Sequence, residues 1–106
     1  MKVLFDQGTP DPLRKALDGH AVETAFERGW SLLANGELLT AAESAGFQVF
    51  VTTDTKLKYQ QNLGKRVISI VVLLSTSWPR IQRCLPRVKA AIDNAVPGGY
   101  VEVPIE

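Results

Sequence analysis

The run VISIVVLL, residues 67 to 74, has no charge and a single small polar residue, Ser69, and its reading decides the fold. A strand wet on one face alternates apolar and polar side chains, whereas a strand covered on both faces reads as a continuous aliphatic run. The stretch therefore predicts a central strand of a parallel sheet with helices packed on either side. It is far too short to span a bilayer. The start, MKVLFDQG, lacks the apolar region and small-residue cleavage site of a signal peptide. The expected location is the cytoplasm, with no membrane partner.

Working outward, Phe47 to Thr53 predicts a second buried strand, closed by Asp54, with the basic, amide-rich stretch 55–66 between the two. Lys2 to Phe5 predicts a first strand ended by Asp6-Gln7-Gly8. Pro10 or Pro12 then opens a helix over about Leu13 to Leu17, since proline is tolerated in a first helical turn. Asp18-Gly19 breaks it, and the weak alternation of His20 to Thr24 predicts another strand. Asn35 is placed to cap a helix over Gly36 to Ala45, with Leu38, Ala42 and Ala45 on one face and Gly46 at the glycine position past its end. Glu37 falls in the first turn, where the positive end of the helix dipole favours a carboxylate.

Downstream, Ser77 or Trp78 with Pro79 opens a helical region in which Ile81, Leu85, Val88 and Ile92 recur at helical spacing. Arg80, Arg83 and Arg87 line a different side, and Pro86 kinks the helix or restarts it. Pro97-Gly98-Gly99 turns the chain into Tyr100 to Ile105, an edge strand because Pro104 cannot donate to a ladder. Strands alternating with helices predict one domain over residues 1–106, a three-layer α/β/α sandwich with a mostly parallel central sheet and right-handed crossovers. In such sheets, sites lie beyond the carboxyl ends of the strands. Asp6 and Asp54 each follow a strand directly.

The net charge of +1 hides an uneven distribution. Residues 1–54 hold eight acids against four bases, whereas residues 55–92 hold eight bases and no acid. An acidic locus beside a basic surface suits a polyanionic partner, although a basic run also makes an ordinary solvated face. The single cysteine, Cys84, has no disulfide partner, and with one histidine, His20, a structural zinc site is not expected. Cys84 fits a small buried apolar residue, and Trp30 and Trp78 fit anchors of the core.

Asp6, Glu37 and Asp54 form the constellation that carries chemistry. Carboxylates brought together repel unless a cation neutralises them, and hard cations such as Mg²⁺ or Mn²⁺ take oxygen ligands. Acids at strand ends and helix starts also serve simply as turn and cap residues. Lys56, Lys58, Tyr59, Gln60, Gln61 and Asn62, with Arg80, fit contacts to phosphates and bases of single-stranded nucleic acid. They equally fit a polar helix face and loop.

MKVLFDQGTP at the start, NGELL at 35–39 and VFVTTD at 49–54 resemble the three acidic landmarks of the PIN-like nuclease superfamily. Over nearly its whole length the chain is similar to the short bacterial branch of that superfamily, a family often suspected of supplying toxins of toxin–antitoxin pairs. The resemblance implies a PIN-like fold, a divalent Mg or Mn cofactor and hydrolysis of RNA, with Asp6, Glu37 and Asp54 as the metal-binding, catalytic acids. It also implies an antitoxin partner for a toxin, and homodimerisation. Two positions depart from the pattern: Gln7 and Thr55-Lys56 stand where short relatives often carry further acids. Three acids still hold one metal whose shell water completes, and a two-metal mechanism is disfavoured. The same departures point to a second class, a PIN-like module without catalysis that binds RNA or protein. A receiver-like phosphoacceptor domain shares the strand-end acids but would need an acidic pair after strand one.

Overall fold

The fold is a computed structural model that describes residues 1–60 and 62–106, apart from the side chain of Gln60. Two candidate RNA contacts, Gln61 and the Gln60 side chain, therefore lie outside the described residues. Five parallel strands form one sheet: β1 (Lys2–Phe5), β2 (Ala21–Thr24), β3 (Val49–Thr52), β4 (Ser69–Leu73) and β5 (Tyr100–Val103), in the order β2-β1-β3-β4-β5. Four α-helices accompany them: α1 (Asn35–Ser44), α2 (Leu57–Gln60), α3 (Trp78–Arg83) and α4 (Leu85–Asp93). No helix among the described residues is long and apolar enough to cross a membrane.

The unbroken apolar run of β4 has the predicted cause. Every residue of β4 is buried, and side-chain alternation sends successive residues to opposite layers. Val71 and Leu73 join Val3, Phe5, Val49 and Val51 in a core covered by Ile81 of α3 and Val88 and Ile92 of α4. Ile70 and Val72 join Leu4 and Phe50 in a second core covered by Leu38, Leu39 and Ala42 of α1 and by Leu57 of α2. The result is the three-layer sandwich. β5 is an edge strand, as expected, and Pro104 falls just past its last residue.

Local differences from the sequence expectations have physical reasons. The segment after β1 is a 3₁₀ helix, Asp11–Ala16, rather than an α-helix over 13–17; a short piece with Pro12 in its first turn favours the tighter i→i+3 pattern. Pro86 restarts the chain rather than kinking it: α3 ends at Arg83, Cys84 leaves helical geometry, and Pro86 sits in the first turn of α4. Proline has no amide for the ladder, and its ring clashes with the carbonyl one turn earlier. Gly46 closes α1 as predicted, at φ +85°, with Gly46 N–H donating to Glu43 O and Phe47 N–H to Ala42 O, the two bonds of a Schellman motif.

Glu43 ties α1 to the entrance of β4. Its carboxylate accepts from Arg66 Nη1 at 2.8 Å and from the amides of Val67 and Ile68 at 2.7 and 3.2 Å. Arg66 also donates to Thr40 Oγ1 and to Gly36 O.

Candidate functional site at the carboxyl edge of the sheet

Strand order creates the site. After β1 the chain leaves through the 3₁₀ segment, whose Leu13 packs in the core beneath α3 and α4. After β3 it leaves through α2, whose Leu57 packs in the opposite core, under α1. β1 and β3 are neighbours, so their exits diverge to opposite faces and open a crevice between their carboxyl ends, where open α/β sheets hold ligands.

Asp6 and Asp54 both stand at this edge, each just past the end of its strand. Asp6 continues β1, its amide donating to Val51 O, and its Oδ2 accepts a short hydrogen bond from Thr52 Oγ1. The same hydroxyl accepts from the Asp54 amide at 3.0 Å. The Thr52 side chain thus touches the Asp6 carboxylate and the Asp54 backbone amide. Asp6 Oδ1 accepts from Thr9 Oγ1 at 2.7 Å, and Thr9 Oγ1 is also bonded to Val51 O. Asp54 Oδ1 accepts from the Lys56 amide at 2.9 Å, a local Asx-type turn, and Asp54 Oδ2 accepts from Asn35 Nδ2 at 3.2 Å. A pocket of about 170 Å³ beside Asp6 is lined by Asp6, Gln7 and Gly8, by Trp30 and Ser31 after β2, and by Asn35 of α1; Asp54 is tied to it only through Asn35.

Burial pushes the Asp6 carboxyl above its usual value, and hydrogen bonds from Thr52, Thr9 and the Thr9 and Gly8 amides offset only part of that rise. None of the ion pairs among the described residues involves Asp6. The fold therefore holds a carboxylate at an electrostatic cost, with hydroxyls rather than a cationic side chain around it.

Glu37 stands apart. It is exposed and lines a different, open groove with Gly36, Thr40 and Arg66. Residues two apart on a helix do not share a face. With Asn35 turned to Asp54, Glu37 points elsewhere. Among the described residues, no group of three His, Cys, Asp or Glu side chains is placed to hold a metal ion. The donor set fits a hard cation only in a reduced form, with Asp6 and Asp54 as the two carboxylates; Mg²⁺ commonly uses one or two and keeps several waters.

Asn35 and Thr52 acquire functions their sequence positions did not advertise. Asn35 is the first residue of α1, after the Ala34 N-cap, and its amide serves Asp54 instead of the helix end. Capping would need Asn35 Oδ1 to accept from a first-turn amide; Asn35 lies one position past the cap, inside the helix, and its Nδ2 donates to Asp54. The Thr52 contact with Asp54 is local, a hydroxyl accepting the amide two residues on at the end of the strand, whereas its contact with Asp6 depends on β1 and β3 pairing.

The candidate RNA contacts divide. Lys56 and Asn62 are exposed, and Lys56 forms none of the ion pairs among the described residues. Lys58 is bound to Glu102 at 3.0 Å, a contact that raises its pKa. Tyr59 is 79% exposed, with the Lys58 ammonium 5.2 Å from its ring centre. Arg80 is exposed at the start of α3. Trp30 and Trp78 pack against the two cores, and Trp30 meets Phe47 edge-on. Comparison of the chain with protein-family models, curated proteins and solved structures finds no match.

Proposed function

We propose that this chain is a metal-dependent, PIN-like ribonuclease whose centre is the Asp6–Asp54 pair, working with one divalent ion. The observation that carries it is the half-buried Asp6 carboxylate at the carboxyl edge of β1, with Asp54 at the end of the neighbouring β3 and no cationic side chain paired to Asp6 among the described residues. When bound, Mg²⁺ or Mn²⁺ supplies charge neutralisation and polarisation of a phosphoryl oxygen.

The chain's own residues prepare that chemistry. Thr9 and Thr52 fix the plane of the Asp6 carboxylate, and Asn35 and the Lys56 amide fix that of Asp54. Held this way, the carboxylates need not reorganise when the substrate arrives. Lys56, beside Asp54, draws the RNA backbone to the edge; its charge is exposed and unpaired among the described residues, so Lys56→Ala should weaken RNA binding several-fold. It should also lower the slope of log affinity against log salt by about one, measured by filter binding at several salt concentrations. The toxin role, the antitoxin partner and homodimerisation belong to the same proposal.

Purified protein with Mn²⁺ or Mg²⁺ should cleave single-stranded RNA, and EDTA should stop it. Asp54→Asn should reduce the rate by about a hundredfold or more, whereas Glu37→Gln, in its separate groove, should cost less than tenfold. A Glu37→Gln loss equal to that of Asp54→Asn would restore the three-acid centre, and cleavage that survives EDTA would sink the metal mechanism. A second reading, a PIN-like module that binds RNA or protein without catalysis, is favoured by the separation of Glu37 from the pair. Absence of Mn²⁺ binding by calorimetry would select it.

A further inference from the structure

Asp6 and Gln7 form a ridge with a cleft on each side. One is the crevice toward α1. The other, about 340 Å³, opens toward β2 and is lined by Asp6, Gln7, Thr9, Asp11, Thr24 and Phe26. Phe26 is 76% exposed and belongs to neither core. Its backbone is nonetheless well anchored: Ala25 N–H donates to Phe5 O at 2.8 Å, and Gly29 N–H to Phe26 O at 3.0 Å. The ring thus projects from a fixed backbone into the same cleft that Asp6 lines.

The chemistry of this cleft is one aromatic face among hydroxyls, an amide and carboxylates. Protein contact surfaces gather several apolar side chains at their centre. A single ring with a polar rim instead suits a planar heteroaromatic base, which stacks by its face and is read at its edge. The available edge groups lean toward acceptors. Asp11 has a 75% exposed side chain and meets Arg14 only at 3.5 Å, while the main partner of Arg14 is Glu27. Gln7 is exposed, and its amide makes a long bond of 3.4 Å to Ser31 O, which lines the first crevice, so it turns toward this cleft only when that weak bond opens. A carboxylate accepts from an exocyclic amino group and repels both phosphate and a carbonyl-rich base edge. The backbone is kept out, and the base goes in.

We propose that this cleft is a nucleobase subsite. A base of the substrate next to the scissile phosphate stacks on Phe26, and Asp11 with Gln7 selects bases that carry an amino group over uracil. The polymer's identity rests on the nuclease reading; the base chemistry of the cleft does not.

Uncharged nucleosides separate the two. Amide chemical shifts recorded during metal-free titration with cytidine, adenosine or uridine should move at Gln7, Asp11 and Phe26, with uridine binding several-fold more weakly than the other two. Phe26→Ala should weaken binding by about tenfold, Phe26→Tyr should retain it, and Asp11→Asn should narrow the discrimination against uridine. Equal binding of uridine and cytidine overturns the selectivity. Responses indifferent to Phe26→Ala overturn the subsite and leave the ring to a protein contact. Nucleoside binding without metal-dependent RNA cleavage supports the subsite and removes the nuclease, and cleavage without any nucleoside response does the reverse.

Discussion

Asp6→Asn should reduce divalent-dependent RNA cleavage by about a thousandfold and, at neutral pH, raise the unfolding temperature. The two effects share one cause. Burial penalises the charged carboxylate, so its pKa in the folded state lies above the usual 3.8. A group with a raised folded pKa opposes folding when ionised and ceases to oppose it when protonated. The wild type should therefore be less stable than Asp6→Asn above the folded pKa. The gap should close as the pH falls through that value and vanish below about the unfolded one. Asparagine is close to isosteric: the Thr9 hydroxyl, which also meets Val51 O, can accept from its amide while Thr52 donates to its oxygen, and the weaker acceptor left for the Thr9 and Gly8 amides limits the gain. Added Mn²⁺ should stabilise the wild type, because a ligand of the folded state shifts unfolding by mass action, and should do so much less for the variant. Thermal unfolding at pH 7 and near pH 3, with and without Mn²⁺, reads all of this. A variant less stable than the wild type at pH 7 would show that Asp6 serves the fold and not a ligand.

Glu43→Ala should cost about 2–3 kcal/mol, because it leaves Arg66 without its carboxylate and two amides at the entrance of β4 without an acceptor. For a domain of this size that corresponds to a fall in Tm of roughly 10–20 °C. Both side chains are only 19% exposed, so water cannot replace the lost bonds fully. Burial pushes the Glu43 carboxyl up, but hydrogen bonds from Arg66 and the Val67 and Ile68 amides outweigh it, and its pKa lies below the usual 4.5. With a depressed folded pKa, this stabilisation is present above about pH 4.5 and is lost as the pH falls through the folded value. Denaturant unfolding should accordingly show the wild type and Glu43→Ala converging in acid. An undiminished difference near pH 3 would assign the effect to lost packing instead of the carboxylate's bonds.

The same contrast between local and long-range causes governs what could be read in advance. β4 was legible because burial on both faces leaves a mark on consecutive residues. The end of α1 was legible because a left-handed position past a helix calls for glycine, and Gly46 supplies it. Asp6 and Asp54 were legible as strand-end acids. Glu37 was grouped with them because a first-turn carboxylate in NGELL looks the same whether it faces the crevice or the adjoining groove. Its direction depends on the rotation of α1 about its axis, which Leu38, Leu39 and Ala42 set by packing on the sheet.

The sequence by itself determined the layers of this protein: strands alternating with helices, two of the strands continuous apolar runs, a proline that kinks or restarts the last helix and an edge strand over Tyr100 to Ile105. These follow from periodicity, turn chemistry and proline geometry, all of which act over a few residues. Tertiary structure alone decided which charges meet. The eight bases of residues 55–92 look like an unopposed polyanion surface, yet Arg66 finds Glu43, Lys58 finds Glu102 and Arg87 approaches Glu106. Strand order likewise placed β1 beside β3, so that Thr52 meets the Asp6 carboxylate and Asp6 and Asp54 share one edge of the sheet. Coulombic and hydrogen-bond partners are chosen by distance in space, and chain connectivity leaves that distance open until the sheet has assembled.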